Sequence, residues 1–197
     1  MTEPNEFEEL VADIKQILGP ISGINASEVD TGILMQRLRD YKSHRPHWQK
    51  YEFSDPSMQY TRNGVSKIDT KADLLVLVWT PGKSSAVHDH ANAHCLMKVL
   101  QGTLTETLYD VPAEGHIADE LHTKRITHLH ENEVTYISDR LGLHKITNEG
   151  PEIAVSLHLY TPPWASMYGC NIYHDGRKVH VEGGGLYSDN GVRLAKT

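Results

Sequence analysis

The chain of 197 residues has only two cysteines, Cys95 and Cys170, too few for a disulfide framework and in keeping with a reducing compartment. It has no long hydrophobic run either. The longest, Leu74-Leu75-Val76-Leu77-Val78-Trp79, falls far short of the ~20 residues that cross a bilayer. The acidic first ten residues lack the positively charged start of a signal peptide, so the expected location is cytoplasmic and no membrane partner is expected. Basic residues are in deficit, 19 Lys and Arg against 26 Asp and Glu for a net charge of −7, and they form no block. A footprint for a phosphate backbone is thus missing, and nucleic acid is not expected as a partner. Tandem repeats and low-complexity segments are absent too. With 39% hydrophobic and 23% charged residues, the composition is that of one soluble globular domain.

Histidine is what the chain has in quantity. It occurs 13 times, and seven of these lie between His88 and His130, which directs attention to metal binding. The frame around the cluster changes along the chain. Phe7, Leu10, Val11, Ile14, Ile17 and Leu18 fall at helical spacing and predict a helix over residues 4–18, stopped by Gly19-Pro20. Ile33, Leu34, Leu38 and Tyr41 predict a second over 31–42, with a short turn at His47-Trp48. Residues 1–57 thus read as a helical layer, too small for a core of its own, that must dock on the rest of the chain. From residue 58 the pattern is of short strands. Asn63-Gly64 between residues 58–62 and 65–68 signals a hairpin. Further strands are expected at 74–80, 94–101, 103–109, 123–129, 134–137, 144–146, 153–160 and 178–181. Such spacing predicts a mainly β fold, an antiparallel sandwich or barrel over 58–181. Residues 182–197 read as a polar tail over the surface.

His88-Asp89-His90 places two imidazoles on one face of a strand, within reach of one ion. Two surface histidines flanking an aspartate is the alternative reading. Gly142-Leu143-His144, with Asn148 beyond, offers a third ligand from another strand. Together with Gly82 and Gly102, these form a two-part pattern that resembles the cupin signature. That likeness implies a small jelly-roll-like antiparallel barrel. One departure stands out: His94 and Cys95 occupy the positions where a cupin usually places a glutamate. Three neutral imidazoles leave a divalent ion its full charge and favour an anionic ligand such as a thiolate.

The stretches YTRN, HDHANAHC, GLHKITN and SLHLYTPPW narrow this further: the chain resembles the cysteine dioxygenases over about residues 60 to 164. The resemblance implies a mononuclear Fe(II) enzyme that takes L-cysteine and O₂ to cysteine sulfinate. It implies His88, His90 and His144 as iron ligands, Tyr60 and Arg62 on the substrate carboxylate, Trp79 as a pocket wall, and Tyr160 as the active-site phenol with His158 beside it. Dioxygenases for 3-mercaptopropionate typically carry glutamine where Arg62 stands, so arginine implies an amino acid substrate. The resemblance also implies a thioether crosslink between Cys95 and Tyr160, although by itself Cys95 reads as a small apolar strand residue. Met167 stands where animal members commonly have a second cysteine. A monomer is expected. The alternatives are a dioxygenase for another small thiol, such as 3-mercaptopropionate or cysteamine, a non-catalytic metal-binding cupin module, and a zinc site. His94, His116, His122, His128 and His130 read as structural or surface residues.

Overall fold

Asn5 starts the first helix. Its side chain accepts from the backbone N–H groups of Phe7 and Glu8, and the Glu8 carboxylate reaches back to the Asn5 N–H, so two otherwise unpaired donors of the first turn are satisfied reciprocally. In the computed structural model, which describes residues 3–19, 29–68, 70–112 and 121–195, helix α1 spans Glu6–Leu18. Phe7, Leu10, Ile14 and Leu18 form its buried stripe. Pro20, expected to stop it, lies outside the described residues. Helix α2, Thr31–Asp40, is capped by Asp30 and ends two residues before the expected boundary, where Tyr41 turns to extended backbone and buries its ring. A single turn, α3 (Arg45–Trp48), completes the helical layer.

The strands come next as β1 (Tyr60–Ile68), β2 (Ala72–Trp79), β3 (Val87–His88), β4 (His94–Gln101), β5 (Thr103–Tyr109), β6 (Thr123–His130), β7 (Val134–Ile137), β8 (Leu143–Thr147) and β9 (Ala154–Thr161). After the short helix α4 (Trp164–Tyr168) come β10 (Cys170–His174), β11 (Arg177–Val181), β12 (Ser188–Asp189) and β13 (Val192–Arg193). They form a seven-stranded sheet, β13-β12-β1-β2-β9-β4-β7, and a six-stranded one, β11-β10-β3-β8-β5-β6. The fold is mainly β and jelly-roll-like, but the expected barrel is open, because no ladder among the described residues joins the edges of the two sheets. Nor is it wholly antiparallel, since β12 runs parallel to β1.

Alternation along the strands decides what each face meets. In the seven-stranded sheet, Leu74, Val76, Val78, Leu96, Leu100, Val155, Leu157 and Leu159 pack with the helices in one core. The intervening Leu75, Leu77, Trp79, Met97, Val99 and Ala154 meet Leu104, Leu129 and Ile146 of the other sheet. Both faces are therefore buried, and β2 is buried along its entire length. No helix among the described residues is long and apolar enough to cross a membrane.

Two sequence expectations require correction. Asn63-Gly64 is no hairpin turn: it lies inside β1, next to a register shift between Gly64 and Ser66. Asn63 spends its side chain outside any turn, donating to the Phe53 carbonyl and to the neighbouring Thr61 Oγ1 and accepting from Ser188 Oγ, 125 residues away. Gly64 is where the C-terminal segment passes, and a Cβ there would stand 2.4 Å from Asp189 Oδ1. The second correction concerns that segment. Residues 182–197 do not merely cover the surface; Ser188 is fully buried and adds a strand to the sheet beside Asn63.

Candidate metal centre and substrate pocket

His88 closes β3 directly opposite His144 of β8. The chain reaches His144 through Gly142, whose φ of 144° and contact with β5 leave no room for a side chain: a Cβ would lie 2.2 Å from the Tyr109 carbonyl oxygen. Beyond β3 the backbone turns at Ala91 and Asn92, both left-handed, and Asp139 pins the turn by accepting from the N–H groups of His90 (2.6 Å) and Asn92 (2.7 Å). Asp89, between the two histidines, holds β10 by accepting from the Asn171 backbone (2.9 Å) and side chain (2.6 Å). His88 and His90 are thereby left on one side. One ligand atom from each of His88, His90 and His144 lies within 4.8 Å of the others, the only such His, Cys, Asp or Glu group among the described residues.

Hydrogen bonding prepares these rings to bind an ion. His88 Nδ1 donates to the Ala86 carbonyl at 3.0 Å, because a carbonyl only accepts, and Nε2 is left as the base. His144 Nδ1 faces the Glu106 carboxylate at 2.9 Å, with the same result. His90 has neither ring nitrogen hydrogen-bonded although both are buried, and Asp139 stands 3.9 Å away, beyond hydrogen-bond reach. An unsatisfied buried polar group costs ~1–3 kcal/mol, so a buried imidazole with both nitrogens open fits a ligand that lacks its ion. Burial lowers the basicity of all three rings; for His90 and His144 the neighbouring imidazoles add to it and take the rings well below the ordinary value, whereas at His88 the Ala86 carbonyl, Asp89 and Asp139 partly offset the burial. They are uncharged at neutral pH, as metal ligands must be. The donor set thus fits a divalent transition ion.

Glu106 is the residue that sequence reasoning missed. It is buried, bonded to His144 and to Thr135 Oγ1 (3.0 Å), and its carboxyl is pushed up by burial. A signal was available. Glu106 shares the inward phase of β5 with Leu104 and Leu108, and an acid in an apolar row needs a partner.

Opposite the histidines, β9 presents Ser156, His158 and Tyr160 on its inner face. Trp79 Nε1 donates to Ser156 Oγ at 2.8 Å, Ser156 Oγ lies 2.8 Å from His158 Nε2, and His158 Nδ1 lies 3.1 Å from the Tyr160 hydroxyl. Burial holds His158 well below and Tyr160 well above their ordinary pKa, so both are neutral. Cys95 pairs with Tyr160 across β4 and β9, packs on its ring, and places Sγ 3.9 Å from His158 Nδ1. Its thiol pKa is raised by burial. On β1, Tyr60 lies opposite Trp79 with ring centroids 4.6 Å apart, and Arg62 stands two residues on, its buried Nε without a partner.

A cavity of about 310 Å³ unites them. Tyr60, Arg62, Trp79, His158 and Tyr160 line it together with the three histidines, while Cys95 lies behind Tyr160. Arg62 gives the pocket a fixed positive charge. Cys170 lines the cavity as well, whereas Met167 is exposed and outside it. Asn148 braces the pocket wall instead, its side-chain amide donating to the Trp79 (3.1 Å) and Glu152 (2.8 Å) carbonyls. His94 bonds Tyr136, and His122, His128 and His130 lie on exposed surface; His116 is outside the described residues.

The family model for cysteine dioxygenase type I matches residues 1–175. Cysteine dioxygenase type 1 of Danio rerio is 39% identical over 165 residues, covering 83% of this chain and 78% of that protein. The Rattus norvegicus protein of the same name is 39% identical over 159 residues, with 80% and 77% covered. Among solved structures, a Klebsiella pneumoniae protein with a double-stranded β-helix domain aligns over 64% of this chain and 88% of its own, at 18% identity and a TM-score of 0.49. On the family match and the relatives' identity over four-fifths of its length, the chain belongs to the cysteine dioxygenase type I family.

Proposed function

We propose that this protein is an Fe(II) enzyme that converts L-cysteine and O₂ to cysteine sulfinate. The observation that carries the reading is one cavity holding three uncharged imidazoles on one wall and Arg62 on the other. His88, His90 and His144 would hold the iron, which when bound supplies the redox chemistry that joins both atoms of O₂ to sulfur. The stoichiometry needs no further reductant, since the thiol gains two oxygens and becomes the sulfinic acid.

The residues of the chain supply position and protons. Arg62, helped by the Tyr60 hydroxyl, grips the substrate carboxylate in a two-point contact, and Trp79 forms the wall behind Tyr60. The Trp79 N–H can only donate, so Ser156 accepts it and gives its own proton to His158 Nε2. His158 then donates from Nδ1 to the Tyr160 oxygen, and the phenol proton is left to point at the reactants. Tyr160, kept protonated by burial, acts as a hydrogen-bond donor and not as a base. A thioether between Cys95 and Tyr160 would lock that phenol in place; forming it removes two hydrogens, with O₂ as oxidant. The cross-strand pairing of the two residues supports it, and intact mass of the active enzyme should be lower by those two hydrogens, an unmodified mass after turnover ruling the bond out. One chain supplies every residue of this site, which supports a reading in which the protein works as a monomer.

The test is product identification under labelled oxygen. We expect cysteine sulfinate carrying two labelled atoms, with kcat/KM higher for L-cysteine than for 3-mercaptopropionate or cysteamine. Arg62→Gln should reduce the L-cysteine value most. Single-label product, or equal loss for cysteamine, which has no carboxylate, would remove the reading.

A further inference from the structure

The six-stranded sheet carries a second His-x-His on its solvent face. His128 and His130 stand two residues apart on β6, an edge strand, and both are exposed while Leu129 between them joins the inner core. Their cross-strand partners on β5 are Thr105 and Thr103.

Thr105 fixes the state of one ring. Its Oγ1 lies 2.7 Å from Glu149 Oε2 and 3.0 Å from His128 Nδ1. A carboxylate only accepts, so the one hydroxyl proton goes to Glu149, and the oxygen has only lone pairs left for the imidazole. His128 must donate from Nδ1 in this bond, and its Nε2 is left as the base. Thr103 Oγ1 holds His130 Nδ1 in the corresponding place at 3.3 Å. The device is the one that prepares His88 and His144 in the pocket, a ring nitrogen tied to oxygen so that the other is free for an ion. Glu149 lies 4.0 Å from His128 Nδ1 and Glu133 accepts from the His130 N–H, so a carboxylate stands beside each histidine, while Arg39 and Lys42 line the hollow next to His128.

We propose that His128 and His130 form a second, peripheral site for a borderline divalent ion of the zinc and nickel class, with Thr105 and Glu149 as positioning residues. It is independent of the reading of the buried centre. The experiment is titration of the iron-loaded enzyme with Zn²⁺, with retained iron measured in the same samples. One equivalent of zinc is expected to bind while the iron stays. His128→Gln or His130→Gln should weaken that binding at least ~10-fold, and Thr105→Val by ~10–100-fold through loss of the oriented ring. His122→Gln, elsewhere on the surface, should leave zinc affinity unchanged, and cysteine turnover without zinc should be unaltered in all four variants because they lie outside the pocket. Zinc uptake only by displacement of iron, or equal affinity in the His128→Gln/His130→Gln double variant, overturns the site; equal affinity in Thr105→Val overturns the positioning role.

Discussion

The two sheets share an inner core and differ on their outer faces. In the seven-stranded sheet the outer face lies under α1 and α2, and strand β2 is buried throughout. In the six-stranded sheet β6 is largely exposed, with only Leu129 buried. The chemistry divides along the same line. The strands covered on both sides carry Arg62, Trp79, Ser156, His158 and Tyr160, groups whose value lies in fixed direction, and close packing on both faces denies such strands room to shift. The half-solvated sheet carries His88 and His144, which an ion would itself hold in place. Difference in burial therefore maps onto difference in how each set of groups is kept in position.

Substitutions on either sheet test that division. The largest effect is expected at the ligands: His144→Ala should lose bound iron on metal analysis and abolish O₂ uptake, and normal turnover would end the proposed centre. Next comes the helical cover. Phe7→Ala should lower the unfolding free energy by ~3–5 kcal/mol in urea titration, since Phe7 is fully buried in the core shared with the sheet. A loss near zero would mean that the helices do not stabilise the sheet. Under the same cover lies Lys98, fully buried, its ammonium donating to the Asn132 carbonyl at 3.1 Å. Burial, helped by Lys42, lowers its pKa from 10.5 to about 8. The unfolded chain thus holds this proton between pH 8 and 10.5 where the folded chain has released it, so stability contributed here is least below pH 8 and rises through that window. Lys98→Met should remove that rise and stabilise the protein near neutral pH by as much as about 3 kcal/mol; parallel stability curves for the two proteins would contradict it. On the other sheet, Glu106→Gln should keep the fold and weaken metal affinity ~10–100-fold by leaving His144 less firmly oriented. Smallest of all, Ile126→Ser on the exposed face of β6 should alter stability by no more than ~0.5 kcal/mol, the counterpart that gives the Phe7 result its meaning.

Much of the fold was legible in the residues, and the limits are physical. The periodic runs of α1 and α2, and of β4, β5 and β7, carry enough residues to show their period, and the expected strands at 94–101, 103–109 and 134–137 coincide with the observed ones. β3, β12 and β13 have two residues each, too few for any period, and exist because other strands lie beside them. Asn63-Gly64 misled because its local preference for a turn is outweighed by side-chain hydrogen bonds from Asn63 to Phe53 and Ser188, outside its own strand. Glu106 escaped because its partner, His144, lies 38 residues away.

Residue order alone set the kind of donor and its local spacing: histidines two apart, a glycine that admits a close approach, polar residues in alternation on one strand. These are matters of covalent geometry and need no other part of the chain. Which donors meet, and in what state, was left to the packing of distant strands. His88 faces His144 because β3 pairs with β8, Tyr160 faces Cys95 because β9 pairs with β4, and the rings are neutral because the packed sheets exclude water from around them.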